Sequence, residues 1–138
     1  MKRQYLLLMI CTSLSLSVFS QEKQTNVSFY NGDRFSISLF TTCKFYPEFQ
    51  VESTNLEVQD ARYAFLIRND IPVKELFLSW GLGASYSDID DTYLVVPVEL
   101  KKANILKENL SLSVGLEVSS NFNANTRIKP LIGLSISF

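Results

Sequence analysis

The most regular feature of the chain is a two-residue alternation of apolar and polar side chains, the pattern of β-strands whose two faces meet different surroundings. In 108–119, Leu110, Leu112, Val114, Leu116 and Val118 alternate with Ser111, Ser113, Gly115, Glu117 and Ser119. In 128–138 the apolar set is Ile128, Ile132, Leu134, Ile136 and Phe138, against Lys129, Gly133, Ser135 and Ser137. Segment 74–86 sets Leu76, Leu78, Trp80, Leu82, Ala84 and Tyr86 against Ser79, Gly81, Gly83 and Ser85. Segment 92–102 sets Leu94, Val96, Val98 and Leu100 against Tyr93, Pro97, Glu99 and Lys101.

The first half is noisier. Phe35, Ile37, Leu39, Thr41 and Cys43 alternate with Ser36, Ser38 and Thr42, although Phe40 breaks the polar face. Tyr63, Phe65 and Ile67 oppose Arg62, Ala64 and Arg68 in 60–69, and Phe49 and Val51 oppose Glu48, Gln50 and Glu52 in 46–53. Asn31-Gly32 is a tight-turn signal that pairs 25–30 with 34–43 as a hairpin. Further turn chemistry stands at Asn69 to Pro72, Asp88 to Asp91 and Asn121 to Asn125. These segments predict about eight antiparallel strands joined by loops of roughly four to eight residues.

The first twenty residues stand apart. Lys2 and Arg3 precede an apolar stretch from Tyr5 to Phe19, and Val18 and Ser20 sit where signal peptidase reads small residues before Gln21. Cleavage between Ser20 and Gln21 is therefore expected, dividing the chain into a signal peptide, 1–20, and a mature domain, 21–138. A retained anchor is the alternative, but the apolar run is shorter than the roughly 20 residues that span a bilayer. Cys11 is not read as a lipidation site, because bulky Met9 and Ile10 precede it. The mature part has 11 basic and 14 acidic residues, a charge of −3 that gives nucleic acid no basic patch. Cys43 is its one cysteine, so no disulfide closes within it.

Alternation alone fits either a membrane barrel or a soluble sheet. The polar faces favour the first. They carry Ser and Gly where a solvated face usually carries long charged side chains, as suits the crowded lumen of a narrow barrel. The expected fold is all-β, an antiparallel up-and-down transmembrane barrel of about eight strands in the outer membrane of a Gram-negative envelope. The ending Leu134-Ser-Ile136-Ser-Phe138 resembles the C-terminal signal of outer-membrane barrels, and Tyr93 to Lys101, an aromatic opening with an internal Pro, resembles a strand of the PorT-like small barrels. The likeness covers roughly 74–138 and extends to the OmpX-like barrels. It implies outer-membrane lipid and the barrel-insertion machinery as partners, the latter reading Leu134, Ile136 and Phe138.

Candidate chemistry is sparse. The chain has no His, the usual general base and a common metal ligand. No catalysis and no cofactor are expected. Asp88, Asp90 and Asp91 offer oxygen ligands but read more simply as a solvated turn, lacking the glycine and distal Glu of a calcium loop. Glu99 and Glu117 share the polar face, as a glycosidase pair would. The plainer expectation is an interior ion network in which Lys44, Arg62, Arg68, Lys101 and Lys129 balance Glu48, Glu52, Glu99 and Glu117. A last hairpin symmetric about Asn123 makes Glu117 and Lys129 cross-strand neighbours and a candidate interior ion pair. Tyr30, Tyr46, Tyr63, Tyr86 and Tyr93 suggest interfacial girdles, and Cys43 falls on the apolar face. The expected role is structural or interactive, through surface loops. A narrow transport pore and a soluble periplasmic barrel binding an apolar ligand are the alternatives.

Overall fold

A computed structural model describes residues 24–53, 61–87, 92–106, 108–121, 123 and 125–138. Ser20 and Gln21, and the acidic cluster Asp88, Asp90 and Asp91, lie outside the described residues. Eight strands form: β1 (Asn26–Tyr30), β2 (Arg34–Ser38), β3 (Tyr46–Glu52), β4 (Arg62–Val73), β5 (Leu76–Ser87), β6 (Tyr93–Lys102), β7 (Leu110–Asn121) and β8 (Thr126–Ser137). Each pairs antiparallel with its sequence neighbour, and β1 pairs with β8 to close an up-and-down barrel.

The register defines the stagger. One rung runs Asn26, Ser38, Glu48, Leu66, Gly83, Val95, Ser119, Arg127 across the eight strands. At the seam Asn26 pairs instead with Ser137, ten residues beyond Arg127. A stagger of this size in eight strands requires a steep strand tilt, in the range of about 35–45°.

The two faces separate cleanly. Outward stand Phe29, Phe49, Phe65, Leu82, Leu94, Leu116 and Ile132, all exposed. Inward stand Ser36, Glu48, Arg68, Ser79, Glu99 and Glu117, all buried. The lumen is filled by matching bulk to glycine. A Cβ on Gly133 would lie 2.4 Å from the Tyr30 ring, and one on Gly81 would lie 2.7 Å from Arg68 Cδ. These glycines are what lets the two large side chains fit across the barrel.

Four expectations are corrected. Asn69 to Pro72 is strand, not turn: Asp70 turns inward and Ile71 outward, so alternation continues to a two-residue turn at Lys74-Glu75 with Lys74 at φ 56°. The second strand stops at Ser38, because Phe40 adopts φ 58° and the Cys43 N–H donates to the Phe40 carbonyl at 2.8 Å. Cys43 is thus exposed in a turn and is not part of the wall. Third, Tyr30, Tyr46 and Tyr93 point inward and are buried; Tyr63 and Tyr86, paired on β4 and β5, face outward. Fourth, Lys44 lies outside the ion network, in that same turn, with Nζ 5.9 Å from the Phe45 ring centre. The one amide in the outward sequence of β4, Asn69, is covered by this turn and donates to the Lys44 carbonyl at 2.6 Å.

Candidate functional site

The alternation that turns apolar side chains out turns Arg34, Arg62, Arg68, Lys101 and Lys129 in with Glu48, Glu52, Asp70, Glu99 and Glu117, and with Asp33 of the β1–β2 turn they settle into stacked groups along the lumen. At the mouth beside the β1–β2 turn, Lys129 Nζ donates to Asp33 at 3.1 Å and to Glu52 at 2.5 Å. Arg62 stands 4.0 Å from Glu52 and 3.9 Å from Glu117. Its guanidinium lies 5.7 Å from the Tyr93 ring centre, and Arg127 lies 4.8 Å from the same ring. Each cation is attracted to the negative face of the ring.

Below them Arg34 forms a fork. Nε and Nη2 donate to Glu52 at 3.1 and 2.6 Å, Nη2 donates to Glu117 at 3.0 Å, and Nη1 also binds Glu117. Such bidentate charge-assisted contacts are among the strongest a side chain makes. Deeper still, Arg68 is fully buried between two carboxylates. Its Nη2 donates to Glu99 at 2.7 Å and to Ser79 at 2.8 Å, while Nη1 lies 3.5 Å from Glu48. Glu48 is also held by Gln50 at 2.6 Å and Ser38 at 3.2 Å. Toward the other end, Tyr46 donates to Asp70 at 2.8 Å, and Lys101 donates to the Tyr46 hydroxyl at 3.1 Å.

The register sets Glu117 directly opposite Lys129, but these two register neighbours take other ion partners. Glu117 binds Arg34, and Lys129 reaches past it to Asp33 and Glu52. A Lys directly across an antiparallel pair has a long flexible stem, and the fork of Arg34 fits a carboxylate better. Sequence reasoning missed Arg34, Asp33 and Asp70. For Arg34 the signal was present, since it shares parity with inward Ser36 and Ser38. At the chain end, Leu134 and Ile136 face outward and Phe138 is 72% exposed, its N–H donating to the Thr25 carbonyl at 2.9 Å.

Chemically the lumen is committed to pairing. Glu99 and Glu117 belong to separate guanidinium clusters. The cavity beside Glu117 measures about 10 Å³ and is lined by Arg34, Gln50, Glu52, Arg62, Ala64 and Val95. That is room for about one water molecule, not for a sugar ring. Among the described residues no group of three or more His, Cys, Asp or Glu is placed to hold a metal ion. Comparison with known protein families, with curated proteins and with solved structures gives no match. The barrel and its lumen therefore carry the functional reading by themselves.

Proposed function

We propose that the mature chain is an integral outer-membrane barrel with a plugged lumen, serving a structural or interaction role through its loops. The observation that carries this is the inverted polarity of the barrel. A soluble barrel packs apolar side chains inside; here the inside is chiefly Arg, Glu, Ser and Tyr, with Leu66, Val95 and Leu131 among them, and the outside is Leu, Val, Ile and Phe. Continuous apolar surface of this kind is unfavourable in water and expected against lipid. β4 to β8 run ten to twelve residues, enough to cross a bilayer at a steep tilt. A carrier of apolar ligands would need the opposite arrangement. The signal peptide at 1–20, the exposed terminal Phe138 as a mark for the insertion machinery, and the resemblance of 74–138 to PorT-like and OmpX-like barrels belong to the same reading.

Two measurements test it. Expressed with its first twenty residues, the protein should fractionate with outer membranes and migrate faster on detergent gels before heating than after. Recovery in the soluble periplasmic fraction would refute the membrane assignment. Reconstituted in planar bilayers, the folded protein should pass no current, because Arg68, Tyr30 and Tyr46 fill the cross-section. Reproducible channels would replace the plug with a pore.

A further inference from the structure

The cations of the lumen all have anions to meet: Arg34, Arg62, Arg68, Lys101 and Lys129 each stand within 4.0 Å of a carboxylate oxygen. Three lysines outside the lumen do not. Lys44, Lys74 and Lys102 are exposed and form no ion pair with any described residue; Lys44 Nζ has only the Phe45 ring, 5.9 Å away. All three belong to the end of the barrel that holds the chain termini. Lys44 lies in the β2–β3 turn, where the Thr41 N–H donates to the Gln24 carbonyl at 3.0 Å; Lys74 is in the β4–β5 turn; Lys102 is the last residue of β6. Lys102 continues the outward series Leu94, Val96, Val98, Leu100, and among the described residues of the eight strands no other charged side chain has outward parity.

The fold draws these lysines to one corner. The β2–β3 turn lies against the outer wall: Asn69 donates to the Lys44 carbonyl at 2.6 Å, and Phe45 meets Trp80 edge-on with ring centres 6.4 Å apart. Asn69 and Trp80 face each other on β4 and β5, so the turn carries Lys44 across β4 toward β6. The height also agrees. Lys101 and Tyr46 meet at 3.1 Å, which sets the next residue on each strand, Lys102 and Phe45, at about one level, as the stagger of the barrel requires. Above that level the wall is exposed and apolar at Trp80, Leu82, Val98 and Leu100. The result is an aromatic and aliphatic surface edged by cations, the pairing of side chains expected where hydrocarbon gives way to headgroups.

We infer that this corner is a headgroup site for anionic phospholipid, its phosphate held by Lys44 and Lys102 and its acyl chains lying along Trp80 and Leu82. This rests on the outer-membrane reading. Charge complementarity selects the occupant. A zwitterionic lipid brings an ammonium group that the lysines repel, whereas an anionic one neutralises them and leaves its chains on the apolar wall. Glu75 offsets Lys74 in the same turn, so Lys44 and Lys102 carry the preference; Glu108 lies farther round the rim, next to Asn109, whose carbonyl accepts from the Ser137 N–H of β8. At the opposite mouth Arg34, Arg62 and Lys129 are already paired.

Trp80 is the only tryptophan in the chain, so its fluorescence reports on this corner alone. The protein is folded into vesicles of mixed phosphatidylglycerol and phosphatidylcholine in which one lipid or the other carries bromine, a quencher, on its acyl chains. At equal mole fractions, brominated phosphatidylglycerol should associate with Trp80 at least about twofold more strongly than brominated phosphatidylcholine. Lys44→Gln/Lys102→Gln should abolish the difference. Equal quenching by the two lipids in the unaltered protein would overturn the headgroup site and leave the membrane reading intact. A preference undiminished in the double variant would overturn its assignment to these lysines. No quenching by either lipid would overturn the membrane reading itself. The heat-dependent gel shift screens folding. Should the double variant fail to fold, the unaltered protein in high salt serves instead: screening should remove the preference, and a preference that salt leaves unchanged would refute its electrostatic origin.

Discussion

Two arginines hold the lumen together, and they do so under opposite conditions. Arg34 sits near a mouth, makes four hydrogen bonds to two carboxylates, and has Arg62 and Lys129 as further cations for the same acids. Arg68 sits where the barrel is sealed, and its pairing is poorer. Nε has no hydrogen-bond partner, Nη1 meets Glu48 at a distance without hydrogen-bond geometry, and Glu99 Oε2 is likewise unpartnered. Confinement explains the contrast. Arg68 is pinned over Gly81 between strands that fix where it can reach, whereas Arg34 lies where neighbouring side chains retain some freedom. The deep site is held by charge balance with little redundancy. The mouth site is held by good geometry with redundancy to spare.

The sharpest break of this comparison is Arg68→Met, which keeps much of the volume and removes the charge. Glu48 and Glu99 then remain buried without their cation. Removing one partner of a buried pair costs about 3–5 kcal/mol, and the expectation here is the upper part of that range, because two carboxylates lose one partner. Urea unfolding in detergent, followed by the gel shift, measures it. A loss below about 1 kcal/mol would mean that the deep cluster is not held by its charge balance.

Much of this was legible in the alternation. The faces of β5 to β8 read directly from the sequence, because the inward positions there are mostly Ser, Gly and ionisable residues, with Val95, Pro97 and Leu131 as apolar exceptions. The opposition of Glu117 and Lys129 followed from hairpin symmetry, but their ion partners did not, since partner choice is made across the lumen between strands far apart in sequence. Asp70 was hidden by its company. Asn69, Ile71 and Pro72 carry turn chemistry, and only the pairing with β5 shows that the strand runs through them. Tyr30 and Tyr46 were hidden because a tyrosine suits an interface or a lumen equally well; the room opened by Gly133 beside Tyr30 appears once β1 meets β8.

An intermediate effect is expected for Arg34→Met. Glu117 loses its fork but keeps Arg62 nearby, and Glu52 keeps Lys129 at 2.5 Å. The loss should be about 2 kcal/mol, below the range for a buried pair left wholly uncompensated. Equal losses for Arg34→Met and Arg68→Met in the same unfolding assay would erase the distinction between redundant and irreplaceable arginines.

The smallest effect belongs to Lys129→Met. Its side chain is 29% exposed and shares Glu52 with Arg34, so solvent screening limits the single loss to roughly 0–1 kcal/mol. The informative measurement is the double variant Arg34→Met/Lys129→Met. If the two cations back each other up on Glu52, removing both leaves that carboxylate with Arg62 at 4.0 Å, and the combined loss should exceed the sum of the single losses. Coupling between groups that share a partner runs about 0.5–3 kcal/mol. Strict additivity would show that Glu52 does not depend on either cation in the other's absence. The tolerance of the mouth would then come from solvent alone, and the contrast with Arg68 would reduce to one of burial.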